Sequence, residues 1–149
     1  MTEEKIKRML DACYLAKRIR ELLPDLPAGV TPAYIQYMDV MHTLKKTQEH
    51  IKVSDISDAL HLPRPGVTRT IKEMEQKGYV KKEVSKEDGR ITYISMTPKG
   101  EALSNKYDRD YYSRLVPYLE NISDEEVDAM ISVISKFYEV MSERRVHIE

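Results

Sequence analysis

The sequence predicts a mostly α-helical chain with one small β-hairpin. Three observations carry that expectation. Apolar residues recur every third or fourth position at both ends of the chain. Two short helical segments joined by a tight connector occupy the middle. Directly after them come two short β-branched runs around a polar turn with glycine near its tip. The chain has 149 residues, 33% of them charged and 41% hydrophobic, which suits one globular domain. Its formal net charge of −1 gives no global pull toward polyanions, so any nucleic-acid argument must rest on local charge and spacing.

The first helix is expected from about residue 2 to 23, with Ile6, Met9, Leu10, Cys13, Ala16, Ile19 and Leu23 on one face. The loop Pro24-Asp25-Leu26-Pro27-Ala28-Gly29 ends it. Thr31-Pro32 opens the second helix, threonine as a cap and proline at the first helical position, with Tyr34, Met38, Met41 and Leu44 following at helical spacing. Ser54 is the expected N-cap of a short third helix carrying Ile56, Ala59 and Leu60. His61-Leu62-Pro63 connects it to a fourth helix, about Arg64 to Lys77, stopped at Gly78. Strands are expected over Tyr79 to Val84 and Ile91 to Thr97, with Gly89 supplying a positive backbone angle at the hairpin tip. Thr97-Pro98 begins a single long helix through Leu103, Tyr107, Tyr111, Leu115, Tyr118 and Leu119. Ser123-Asp124-Glu125-Glu126 is a capping box for the last helix, whose stripe is Val127, Met130, Ile134, Phe137 and Met141.

Two short helices, a tight turn and a hairpin make a winged helix-turn-helix, expected over 45–98, whose second helix enters the major groove of DNA. On that helix Val67, Thr70, Ile71 and Met74 share the core side. Pro65, Thr68, Arg69 and Lys72 share the other, with Glu73 at its edge. Arginine can reach guanine edges with two donors, and threonine can donate to a base or a phosphate. Lys81, Lys82, Lys86 and Arg90 add positive charge in the hairpin. The acids Glu125, Glu126, Asp128, Glu139 and Glu143 gather in the last helix, so near-neutrality hides a basic middle and an acidic end. The candidate DNA-binding residues are Ser54, Arg64, Pro65, Gly66, Thr68, Arg69, Lys72, Lys86, Asp88 and Arg90. Asp88 is placed to pair with Arg90 and aim it into a minor groove, where narrow A·T tracts favour arginine.

The stretch from Val53 to Arg69, the run Ile71 to Val80, and the wing Glu87-Asp88-Gly89-Arg90 with Ser95-Met96-Thr97-Pro98-Lys99-Gly100 resemble the MarR family of winged helix-turn-helix regulators. The wing is similar to that family's Asp-x-Arg signature and Leu-Thr ending. Pro63 stands where the family usually has a serine cap, and Met96 where it usually has leucine. The resemblance implies one MarR-type domain over 1–149 that forms a homodimer through helices at 1–24 and 100–149. It implies a transcriptional repressor bound to a pseudo-palindromic double-stranded operator and released by a small effector.

Ten tyrosines beside one phenylalanine and no tryptophan form a skewed aromatic set. Tyr34, Tyr37, His42, Tyr107 and Tyr111 are the candidate lining of an effector pocket for an aromatic or phenolic ligand. The competing reading makes them core or interface tyrosines with satisfied hydroxyls. Cys13 raises the alternative of a thiol-based redox repressor, but its place on an apolar face favours a buried, unreactive thiol. A single cysteine excludes an intramolecular disulfide framework. His42, His50, His61 and His147 lack metal-ligand spacing, and no phosphate loop or nucleophile elbow appears. No cofactor, metal or catalytic activity is therefore expected. The start shows no secretory pattern and no apolar run is long enough to span a bilayer, so a cytoplasmic location is expected. A winged-helix protein-interaction module without DNA affinity is the rival from another class.

Overall fold

A computed structural model describes residues 1–144; His147 and the last five positions of the expected 100–149 helical end lie outside the described residues. The chain divides into two compact units, Met1–Arg109 and Asp110–Glu149.

In the first unit, α1 (Glu3–Glu21) starts where Thr2 accepts a hydrogen bond from the Lys5 amide at 3.3 Å. It buries no residue, and Ile6, Leu10, Tyr14 and Ile19 of its apolar face are exposed. Cys13 is exposed in the single chain, where the sequence favours a buried thiol, in keeping with a helix that buries none of its residues. Helix α2 (Pro32–Lys45) begins with proline at its first turn as expected. Thr31 makes no capping bond, so the threonine half of that expectation fails.

Helix α3 (Val53–Leu60) starts one residue before Ser54, which is therefore inside the first turn and not its cap. The reason is Asp55: its carboxylate accepts from the Lys52 amide at 2.8 Å and from Gln48 at 3.0 Å. A carboxylate one position beyond Ser54 thus reaches back to the amide of Lys52 and sets the helix start there. The connector turns through His61, whose φ of 52° is left-handed, while buried Ser57 donates to the Leu62 carbonyl at 2.6 Å. Helix α4 (Arg64–Gln76) follows, with Pro63 as an N-cap that makes no side-chain bond. It stops at Gly78, whose φ of 78° suits a glycine ending a helix.

Strands β1 (Val80–Val84) and β2 (Thr92–Met96) pair antiparallel with Val80 opposite Met96 and Val84 opposite Thr92. The Ile94 amide also donates to the Ile51 carbonyl at 2.8 Å, which ties the hairpin to the segment entering α3. Helix α5 (Pro98–Ser104) is capped by Thr97, which accepts from the Gly100 amide at 3.1 Å. A π-helical turn, Asn105–Arg109, follows. The core joins Tyr34, Tyr37, Met38 and Met41 of α2 with Ile56 of α3. Val30 and Ile51, Val67, Ile71 and Met74 of α4, Val80 and Ile94 of the hairpin, and Leu103 of α5 complete it.

The second unit contains α6 (Asp110–Leu115), a 3₁₀ turn at Val116–Tyr118, and α7 (Asp124–Glu143). The single helix expected from Pro98 to Leu119 is thus broken. Pro117 has no amide to donate, and the regular helix ends before it. The Ser123 capping box forms as expected: the Glu126 amide donates to Ser123 at 3.2 Å and the Ser123 amide to Glu126 at 2.9 Å. No α7 residue is buried, and Val127, Met130, Ile134 and Met141 lie exposed.

Candidate nucleic-acid interface

Helix α4 is sorted into two faces by its own spacing. Val67, Ile71 and Met74 are fully buried, whereas Arg64, Pro65, Gly66, Thr68, Arg69 and Lys72 are exposed. Thr70, expected in the core, is half-buried, and its hydroxyl donates back to the Gly66 carbonyl at 3.1 Å. Burial of three apolar side chains at positions 67, 71 and 74 fixes the rotation of the helix, so the basic face points outward by geometry and not by its own interactions. Among the described residues Arg64, Arg69 and Lys72 have no hydrogen bond or ion pair. Ser54 is half-exposed in the first turn of α3.

The two acids in the second half of α4 are engaged elsewhere. The Tyr34 hydroxyl donates to the Glu73 carboxylate at 3.3 Å, and Lys82 of β1 pairs with Glu75 at 3.0 Å. Lys82 is therefore not the free positive charge expected of it, because Glu75 occupies its ammonium. These pairs escape sequence spacing: Tyr34 and Glu73 lie 39 residues apart.

At the hairpin tip, Ser85 is buried, and its hydroxyl accepts the Glu87 and Asp88 amides at 3.2 and 3.3 Å. Asp88 then accepts three times from Arg90: the amide at 3.0 Å, Nε at 3.2 Å and Nη2 at 3.4 Å. Those bonds, the backbone one first and the guanidinium second, hold the Asp88 carboxyl below the usual carboxylate range. The side chain of Arg90 remains 91% exposed, so it is aimed but not covered. Gly89 has no positive φ, which corrects the expected reason for a glycine there: Asp88 closes the turn through its own side chain, and no left-handed residue is needed. Lys86 is exposed beside it.

The root of the hairpin is held by a lysine–tyrosine cluster. Lys99 stands 4.6 Å from the centre of the Tyr79 ring and donates to the Lys77 carbonyl at 2.7 Å. Lys77 in turn stands 5.1 Å from the centre of the Tyr34 ring and donates to the Gly29 carbonyl.

Four of the five candidate effector residues, Tyr34, Tyr37, His42 and Tyr107, lie in the first unit. Tyr34 and Tyr37 are enclosed in the core, 1% and 3% exposed, which is the core reading of them. His42 is half-buried, its Nε2 2.9 Å from Glu101 and its Nδ1 3.4 Å from Ser104, and Tyr107 packs at the core margin. Tyr111 belongs to the second unit. Among the described residues no group of three or more His, Cys, Asp or Glu side chains is placed to hold a metal ion. None of the described helices is long and apolar enough to cross a membrane.

Residues 28–91, which hold α2 through the hairpin turn, match the sequence profile of the MarR family. The fold is similar along nearly the whole chain to three solved structures. A MarR/EmrR family transcriptional regulator from Acinetobacter sp. ADP1 is 20% identical with a TM-score of 0.69, over 96% of this chain and 100% of that one. FabT of Streptococcus pneumoniae, solved in complex with DNA, is 19% identical with a TM-score of 0.66, over 95% and 99%. MepR of S. aureus, also solved as a DNA complex, is 18% identical with a TM-score of 0.64, over 94% and 96%.

Proposed function

We propose that this chain, whose residues 28–91 match the MarR family profile, is a DNA-binding transcriptional regulator of that family that reads a pseudo-palindromic operator as a homodimer. The observation that carries this reading is the sorting of charge on α4. Its exposed cations Arg64, Arg69 and Lys72 are unpartnered among the described residues, while Glu73 and Glu75 are each bound to another element. The outward face of α4 thus presents cations without a neighbouring free acid at its centre.

In this reading α4 enters the major groove. Arg69 presents two donors to a guanine edge. Lys72 and Lys86 meet phosphates, which position without specifying. Pro65 and Gly66 let the helix start come close to the duplex, and a Cβ on Gly66 would meet nothing within 4 Å in the free protein. Arg90, its direction set by Asp88, enters the flanking minor groove. The apolar faces of α1 and α7, exposed in one chain, are covered by the second copy, so a two-fold protein meets a two-fold site. Repression relieved by a small ligand belongs to the same reading. His42 and Tyr107 are the partly exposed side chains such a ligand could meet, since Tyr34 and Tyr37 are enclosed.

Titration of the protein against duplexes selected from a random pool, at two salt concentrations, tests the proposal. A reader that neutralises several phosphates loses affinity with a log–log salt slope of about −0.9 per contact and prefers the selected duplex over random sequence. Binding to no duplex at low salt would leave the winged helix as a protein-interaction module.

A further inference from the structure

Glu73 follows Arg69 by four residues on α4, the spacing at which a carboxylate and a guanidinium meet across one helical turn. They do not meet here. Arg69 has no ion pair among the described residues, and the Glu73 carboxylate accepts instead from the Tyr34 hydroxyl. Tyr34 has little freedom to follow Glu73. It is 1% exposed, its ring meets Tyr79 edge-on with centroids 6.1 Å apart, and Lys77 stands over its face. The mobile partner is the exposed carboxylate, and the buried phenol is the fixed one. A buried hydroxyl requires an acceptor, and the acceptor it takes comes from the reading helix.

We propose that Tyr34 is a positioning residue for DNA reading: it draws the Glu73 carboxylate away from Arg69, which leaves the guanidinium free and keeps a negative charge off the edge of the face that meets phosphate. The proposal rests on the DNA-binding reading above. The separation of 3.3 Å is long for a hydroxyl donating to a carboxylate, so the hold biases the carboxylate and does not lock it. Glu75, held by Lys82 at 3.0 Å, shows the same arrangement one turn-edge away, with a second element supplying the partner. With Tyr34 disabled, Glu73 has two destinations, and both oppose binding. Paired with Arg69 it must be displaced before a base is read; left free it repels the phosphate backbone.

Four proteins test this: wild type, Tyr34→Phe, Glu73→Gln and the double variant. Tyr34→Phe keeps the ring, the core packing and the lysine contact and removes only the hydroxyl. Affinity is read by fluorescence anisotropy on a duplex selected by the wild type, at about 50 and about 200 mM salt. Tyr34→Phe should weaken binding of a dimer about two- to fivefold at low salt (about 0.2–0.5 kcal/mol per protomer), and the loss should shrink at the higher salt, where a free carboxylate is screened. Glu73→Gln should bind at least as well as wild type. In the Glu73→Gln background the Tyr34→Phe change should alter affinity by less than about twofold. A Tyr34→Phe loss of the same size in both backgrounds assigns the effect to packing and overturns the proposal, as does the absence of any loss. Failure of the wild type to bind any duplex overturns the DNA-binding reading itself, and this inference with it.

Discussion

Gly100→Ala puts the joint between the hairpin and α5 to a sharp test. Gly100 is buried in the first turn of α5, and its amide donates to Thr97 at 3.1 Å. The Thr97 hydroxyl donates in turn to the carbonyls of Gly78 and Tyr79, and the Thr97 amide also reaches the Tyr79 carbonyl, at 3.1 Å. A Cβ on Gly100 would lie 2.1 Å from the Tyr79 oxygen and 3.1 Å from its carbonyl carbon. Ordinary contact begins at 3.4 Å, so α5 and the start of β1 must separate by about 1.3 Å. The obstacle is backbone, which cannot swing aside as a side-chain tip can. Overpacking of this kind costs about 1–3 kcal/mol. Loosening the Thr97 cap adds about 1 kcal/mol, and the better helix propensity of alanine returns about 1 kcal/mol. A net destabilisation of about 1–3 kcal/mol is expected. Urea unfolding followed by circular dichroism, at one fixed protein concentration because the protein is read as a dimer, measures it. Gly66→Ala is the matched control: its Cβ meets nothing within 4 Å, so stability should hold or rise by up to about 1 kcal/mol. A Gly100→Ala protein that unfolds at the wild-type urea midpoint would refute the close approach.

Arg69→Ala should cost about 1–3 kcal/mol on a selected duplex and relax preference at one base position per half-site, whereas Lys72→Ala should weaken selected and random duplexes alike. Competition with base-substituted duplexes checks this, and equal losses for Arg69→Ala on both would mean that Arg69 reads no base. Arg90→Ala should leave the melting temperature nearly unchanged yet weaken operator binding at least about tenfold, more on A·T-rich flanks, with Asp88→Ala smaller in the same direction. Because the Asp88 carboxyl is held below the usual range, its clasp should persist at neutral and mildly acidic pH and be lost only on strong acidification; unchanged affinity of Arg90→Ala on A·T-flanked duplexes would exclude minor-groove insertion. Removal of the residues after Ser123 deletes the exposed stripe of α7 and should give a monomer without specific DNA binding, and a truncated chain that still sediments as a dimer would place the interface elsewhere. Burial first and Asp39 second raise the Asp108 carboxyl above its usual range. Its charged form therefore disfavours the fold, and stability falls as pH rises through the raised value. Asp108→Asn should raise the melting temperature at pH 7, with the gain fading below about pH 4; a gain equal at both would disprove the electrostatic cause.

The outward face of α4 could be read from sequence because burial at positions 67, 71 and 74 follows helical period, and period needs no knowledge of the partner. The stop at Gly78 and the Ser123 capping box were legible for the same reason: each acts within one turn of chain. The expectations that failed share a different origin. Ser54 and Asp55 are both competent to satisfy an amide, and the bond from Gln48 that helps fix Asp55 in place comes from outside the helix. The apolar spacing from Leu103 to Leu119 reads as one helix although a π-helical turn and a 3₁₀ turn interrupt it. Pro117 was the visible signal for the second interruption. Gly89 looked like a left-handed tip because composition cannot tell a turn closed by glycine from one closed by an aspartate side chain. The Tyr34–Glu73 and Lys82–Glu75 pairs join segments that only the folded chain brings together, so sequence counted Lys82 as free and left Tyr34 between a pocket and the core.

The absence of a net positive charge has a kinetic meaning. The 24 lysines and arginines are offset by 25 acids, so the protein as a whole carries a net charge of −1. A strongly basic regulator is captured by every stretch of duplex it touches and spends its time on decoys. With no net attraction to the polyanion as a whole, this chain is weakly captured by arbitrary sequence and its dwell there is short. Retention then depends on the base-edge contacts that only the right site offers. The search becomes one of frequent brief visits and one long stay, and discrimination is exercised mainly in how slowly the correct complex dissociates.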